Sequence, residues 1–260
     1  LVIARDDITL RGENADGTVL QFSFAAGSEA DAIQVTGGAK NYLGLAQGGI
    51  VTGQQTIGLP PGHGLTAGVS IYIYQPNTLE YLAANGWTNV VWEDADQRPF
   101  REFIVEIDHI EGDVAFLNFA IPYAMDAGEA RVFSIDMIEN IALSDFAVTY
   151  DLGVANPYDF INTAPAYDGL SAIQLMGTNG ASISNIDILN AASNGLSITS
   201  STAVVVDGVT VAGAHNKGGD GNGYGVLLTE SFNNSLTDLV LHDGRHSLVF
   251  SAWSAETGNT

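Results

Sequence analysis

Four segments of the chain repeat one arrangement of positions: apolar, two polar or turn-forming residues, apolar, any residue, apolar. They are LSDFAV from Leu143, ISNIDI from Ile183, VDGVTV from Val206 and LTDLVL from Leu236. Alternation that follows an Asp, Asn or Gly turn predicts a short strand with every second side chain pointing inward. A fifth, degenerate copy, RDDITL, begins at Arg5. Each of the four is followed by a second apolar run, beginning at Ile173, Leu196, Val226 and Leu248. From a second run to the next first strand the step is always ten residues: 173 to 183, 196 to 206 and 226 to 236. The first strands start 40, 23 and 30 residues apart, and the first-to-second gaps are 30, 13 and 20. Relative to the shortest unit, both series are longer by the same 17 and 7 residues, so the extra length enters at one corner. A unit of roughly 20–25 residues cannot bury its own apolar face and must stack on copies of itself.

That arithmetic predicts an all-β chain, and constant steps fit stacked coils better than the hairpins of a β-sandwich. The coils over residues 139–260, with ARDDITLRGENADGTVLQF (Ala4 to Phe22), resemble the right-handed parallel β-helices of the pectate-lyase-like superfamily. The resemblance implies a solenoid whose opening coil lies in residues 1–25. Residues 26–138 break the repeat and read as an inserted β-rich subdomain. AGVSIYIYQP and REFIVEIDHIEGDVAFLNFAIP alternate as half-buried antiparallel strands, turning at Glu111-Gly112-Asp113. NTLEYLAANGW predicts one short helix, with Asn77 as N-cap, Glu80 completing a capping box and Gly86 at the C-cap. Tyr72, Tyr74, Trp87 and Trp92 are expected either to line that subdomain's core or to form a platform for sugar rings.

Charge narrows the list of partners. Thirty acidic residues stand against eight Lys and Arg, a net charge of −22. Phosphate binding needs clustered cations, so nucleic acid and anionic membrane are unsuitable partners. No run approaches the apolar length of a membrane span. With no cysteine, disulfides and thiolate metal sites are excluded. The opening LVIARDDITLRG and the closing WSAETGNT both read as the middle of a domain, as expected of a piece of a longer exported chain.

The candidate chemistry lies where the insertions enter. Stacked coils repeat about every 4.8 Å, so loops at one corner form a wall. The wall carries YDLGVANPYDFINTAPAYDG (150–169), AHNKGGDGNGYGV (214–226) and HDGRHS (242–247). Lys217, His215, Asp220 and Tyr224 are expected to face His242, Asp243, Arg245 and His246 across one coil spacing, with Tyr150, Tyr158 and Tyr167 beside them. Such a set suits proton abstraction from a uronic acid: a cation offsets the sugar carboxylate, a base takes the acidified proton, and an acid protonates the leaving oxygen. Arg245, His246, Lys217 and Tyr224 are the candidate catalytic residues. His215, His242, Asp243, Tyr150, Tyr158 and Tyr167 are the candidate substrate-binding ones. The Arg245-His246 pair is similar to the Arg-His pair of alginate-lyase and chondroitinase-B-like enzymes. Where that family has glycine after the pair, this chain has Ser247. VLLTESFNN holds no counterpart of its lysine, and Glu230 alone could match its calcium carboxylates. An acid pair for hydrolysis could come from Asp159, Asp168, Asp220 or Asp243.

The glycine-rich run fits neither a phosphate loop nor a calcium repeat. Lys217 precedes the glycines and a strand follows them, and Gly223 stands where a calcium nonapeptide needs Asp. Asp220 and Asn222 remain as ligands for calcium, the one cofactor the residues suggest. Two functions stay open. One is an extracellular domain that binds an acidic polysaccharide, cleaving or epimerising it as a lyase or uronate epimerase rather than as a glycoside hydrolase. The other is a non-enzymatic structural or adhesive module, such as a surface-layer, filament or phage-tail component, that self-assembles or belongs to a larger parent chain. Either would be secreted or at the cell surface.

Overall fold

A computed structural model describes residues 1–86, 99–251 and 254–260, so Trp87 and Trp92 fall outside the described residues. The repeat becomes a parallel β-helix with three stacked faces. On the first face the strands Val2–Ile3, Ile33–Thr36, Ser171–Met176, Asn194–Thr199, Tyr224–Thr229 and His246–Phe250 lie in that order. Its register puts Ile173, Leu196, Val226 and Leu248 in one row. The second face is built on Ile141–Tyr150, Ser182–Ala191 and Val205–Ala214, and aligns Leu143, Ile183, Val206 and Leu236. The third is narrow: Ile138–Glu139 pairs with Thr178–Asn179, and single bridges continue it through Thr202, Phe232 and Thr257.

The inward rows explain why the coils stack. Leu143, Phe146 and Val148 sit beneath Ile183, Ile186 and Ile188, then Val206, Val209 and Val211, all buried in one core. Each such side chain removed from water stabilises the stack by about 1.5–3 kcal/mol. The polar pair inside each sequence motif has a separate task. Its second member, Asp145, Asn185, Gly208 or Asp238, takes a left-handed φ of 63°, 51°, 64° or 49°. Asp, Asn and Gly tolerate that conformation best, so the same bend recurs in every coil.

The degenerate first copy sits in a different register from the one its spacing suggests. Leu10, not Arg5, pairs with Leu143, and Ile8 pairs with Ile141. An excursion breaks that coil's strand, which resumes at Val19–Phe22 opposite Ala147–Tyr150. The apolar Leu10 and Leu20, rather than the charged turn, therefore set the register.

The antiparallel strands of the insert run from Ala39 to Asp136, while Ile33–Thr36, expected inside it, pairs parallel with Ser171–Met176. The insert also enters between the first and third faces, a different corner from the other loops. Gly177 makes that junction possible. Its φ is +65°, and a Cβ there would lie 2.1 Å from the Gly38 nitrogen.

The insert is a six-stranded sheet of Ala39–Leu45, Arg131–Asp136, Ser70–Gln75, Arg101–Glu111, Val114–Leu117 and Thr56–Gly58, in that spatial order. Gly112-Asp113 closes its tight hairpin as expected. The helix spans Leu79–Ala84, but its N-cap is Thr78, which accepts the Tyr81 N–H at 3.1 Å. Asn77 is buried and its Oδ1 accepts the Phe100 N–H, which removes it from capping. Tyr72 and Tyr74 are core residues packed on Phe133, not a platform. The same core takes in Phe232 and Ala255, so the insert lies against the third face of the coils.

Candidate functional site

The loop wall is built by skipping a coil. Between Ser182–Ala191 and Asn194–Thr199 the turn is only Ala192-Ser193. The long loops of the coils on either side therefore meet above it and zip together. Asn162 and Asn216 form an antiparallel bridge, and the Lys217 N–H donates to Ile161 O at 3.0 Å. The Asn216 side chain accepts from Ala164 N at 2.8 Å and donates to Ala164 O at 2.7 Å. The Gly218 N–H donates to Asn162 Oδ1 at 2.7 Å.

Lys217 is the hub of this assembly. It is 2% exposed, and its Nζ donates to Asn156 O at 2.6 Å and to Asp243 O at 3.4 Å. The Phe160 ring lies 5.4 Å away. Burial holds its pKa below the usual lysine range, against the opposing charges of Asp243 and Asp159. One ammonium thus joins three loops through backbone carbonyls. The expectation of a catalytic lysine facing an open groove is corrected accordingly.

Tyr224, His242, Asp243, Arg245 and His246 do come together, around a cleft of about 60 Å³. Tyr224 lies opposite His246 in the ladder, with ring centroids 5.6 Å apart. The Arg245 guanidinium donates to Gly218 O, and the Arg245 and His246 N–H groups share Gly223 O at 2.6 and 3.2 Å. Gly223 has a φ of +76°, and a Cβ there would sit 2.9 Å from Asn216 O. Arg245 and His246 are both exposed, together with His242 and Asp243. The His242 ring lies 2.8 Å from the Asp243 carboxylate. The cleft has room for a few waters but not for a sugar ring, so a larger ligand would lie across its rim.

Other expected residues take structural places. Tyr150 is buried with its hydroxyl donating to Ser171 O at 3.0 Å, and Tyr167 packs edge-on against it at 5.5 Å. Neither can meet a ligand, because the apolar interior of the first coils claims both rings. His215 is half-buried, with Nε2 3.3 Å from Gly153 O. Asn222 is fully buried and spent: its Oδ1 accepts from Gly169 N and Ser193 Oγ, while its Nδ2 donates to Asp168 and Gly219 O. An amide oxygen already holding two donors has no lone pair for calcium. Asp220 is exposed and without that partner, and among the described residues no three His, Asp or Glu side chains gather as metal ligands.

Tyr158 is 86% exposed at the tip of the zipped loop, as a ligand-facing residue should be. Two positions along, Phe160 is 58% exposed and adds a second ring to the tip. Its signal was an aromatic between Pro157 and Asn162, in a loop with no alternation that could bury it. Lys217 brings the Asn156–Phe160 tip beside Asp243, so this aromatic pair and the Arg245-His246 cleft share one wall.

No family model matches the sequence, and no curated protein is detectably similar to it. Solved structures are similar in fold. The tailspike protein gp49 from Pseudomonas phage LKA1 superposes with a TM-score of 0.67 at 12% identity, over 98% of this chain and 38% of that one. The tailspike gp61 of Pseudomonas phage phi297 gives 0.59 at 15% identity, over 99% and 37%. The chain therefore spans less than two-fifths of each of these two tailspikes.

Proposed function

We propose that the chain is the glycan-binding β-helix of an extracellular, virion-borne protein, and that an acidic polysaccharide lies along the loop wall. The observation that carries this reading is the pair of exposed rings, Tyr158 and Phe160, held beside Arg245, His242 and His246 by a buried lysine. Flat apolar rings suit the faces of sugar rings, and the neighbouring Arg245 guanidinium suits a sugar carboxylate in a chain otherwise strongly negative. The likeness in fold to two phage tailspikes supports the extracellular setting.

Within that reading Arg245 offsets the uronate carboxylate, since a guanidinium has donors beyond the one given to Gly218 O. His246 or Tyr224 takes the proton from the adjacent carbon. In β-elimination the electron pair forms the C=C bond as the C–O bond to the leaving sugar breaks, and the other of the two residues protonates that oxygen. Proton return to the opposite face would give epimerisation instead. Binding without turnover is the second reading, favoured by a cleft too small to enclose a sugar.

A panel of uronate polymers, followed for the ultraviolet absorbance of unsaturated ends and for binding by affinity electrophoresis, tests both. Retardation lost in Tyr158→Ala and Phe160→Ala supports the wall as the binding surface. Absorbance lost in Arg245→Ala with retardation kept supports the lyase. No retardation by any of the uronate polymers overturns the proposal.

A further inference from the structure

A second group of ionisable side chains, independent of the glycan reading, lies where the insert meets the coils, with Glu102 and Tyr72 buried and Lys40, Glu230 and Glu256 half-buried. Glu102, from the insert strand Arg101–Glu111, is 2% exposed. Its Oε2 accepts from the Tyr72 hydroxyl at 2.6 Å, and its Oε1 accepts the N–H of Ala255, on the last coil, at 3.0 Å. Lys40 of the insert reaches Glu230 of the coils at 2.5 Å, with its Nζ 3.7 Å from the centre of the Tyr72 ring. Glu230 donates its N–H to Glu256 Oε1 at 3.1 Å and accepts from the Ser200 hydroxyl. Glu256 also accepts from Ser254.

Lys40 thus pairs directly with Glu230, the Glu230 N–H ties in Glu256, and Tyr72 lies between Lys40 and Glu102. With all three carboxylates and the ammonium ionised this ring would carry a charge of −2 (three minus one). An unbalanced charge away from water is relieved by taking up a proton. Among the described residues, the other ionisable groups facing the ring are Tyr74 beside Tyr72, and Tyr123 near Glu102 and Glu256. Neither supplies a cation. Asn179 occupies Glu106 further along the same strand, and Arg131 donates to the Tyr74 hydroxyl at 2.9 Å; among the described residues Lys40 is the cation seen paired with one of the three carboxylates. A cavity of about 100 Å³, lined in part by Phe103, Val105 and Phe232, weakens the packing of this interface.

We propose that this ring is a proton-operated latch: a proton on its carboxylates holds the insert against the third face of the coils, and losing it lets the insert loosen about the Gly37-Gly38 junction. Burial first, then the charge of Glu230, pushes Glu102 up to about 8, against the Tyr72 and Ala255 hydrogen bonds and Lys40. Burial likewise pushes Glu256 up to about 7. A carboxylate raised on docking favours the docked state below its ordinary 4.5, and that advantage is lost as pH rises through about 8. The latch therefore closes in acid and slackens toward mild alkali.

Hydrogen exchange of the whole chain between about pH 5 and 8, corrected for intrinsic chemistry, reads this at the Ala255 and Glu230 amides. Wild type should lose up to about tenfold protection per pH unit, the slope of one linked proton. Glu102→Gln, which keeps a neutral side chain at every pH, should flatten that slope and keep the amides protected at the alkaline end. Protection in wild type that is constant across the range overturns the proposal, as does a folded Glu102→Gln with the wild-type slope. If Glu102→Gln does not fold, the wild-type slope decides alone.

Discussion

Replacing Lys217 with Met removes the ammonium but keeps most of the aliphatic stem, so it isolates what the buried charge does. The side chain is 2% exposed and gives one short bond, 2.6 Å to Asn156 O, and one weak one, 3.4 Å to Asp243 O. A hydrogen bond from a charged donor contributes about 1.5–3 kcal/mol, and the Asn156 and Asp243 carbonyls, which lie on exposed residues, can turn to water once it is lost. Against this stands the relief of no longer burying an ammonium, which the lowered pKa of Lys217 registers. A net cost of about 1 kcal/mol follows, or about 2–4 °C in Tm if the loss is felt globally in a domain of this size. The larger change should be local, because the lysine touches loops and not the stacked core. Calorimetry gives the first quantity, and hydrogen exchange over residues 151–170 and 214–223 the second. Glycan retardation should fall with loop protection, since the Asn156–Phe160 tip loses its anchor. A Lys217→Met protein with unchanged Tm and unchanged protection in both loops would refute the hub.

Three further outcomes can be checked directly. Tyr158→Ala should weaken glycan retardation by about tenfold, near 1.4 kcal/mol, while leaving Tm in place because the ring is so exposed. Ile186→Ala, in the fully buried row of the middle coil, should cost about 2–5 kcal/mol in denaturant unfolding; Val205→Ala, half exposed on the neighbouring strand, should cost under about 0.5 kcal/mol. Gly177→Ala combines a left-handed φ with a Cβ placed inside the Gly37-Gly38 backbone, so a loss of at least about 2 kcal/mol is expected by the same measurement.

What the sequence made legible was whatever the stacking repeats. Leu143, Ile183, Val206 and Leu236 share a row because inward positions must recur at the same point of every coil, and the chain spells that out. RDDITL misleads because its strand is broken by an excursion, and no periodicity marks where it resumes. The site was half legible for a related reason. His242, Arg245 and His246 lie within five residues of one another, so a single turn gathers them. The burial of Lys217 depends on Asn156, which lies on a loop two coils earlier, and the burial of Glu102 depends on Ala255 at the far end of the chain. Glycine-rich surroundings suggested exposure for Lys217. The covering loop came from elsewhere.

The two-residue turn at Ala192-Ser193 imposes a rule of inheritance on the wall. Each long loop finds its hydrogen-bonding partner only because the coil between them stays short, so their lengths cannot drift separately. A residue added at Ala192-Ser193 would lift one loop off the other and cut Asn216 from Ala164, although neither has changed. If the wall binds glycan as proposed, it should therefore diversify by exchanging side chains at its tips, such as Tyr158, Phe160 and Asp220. Resizing its loops would require several coils to change at once.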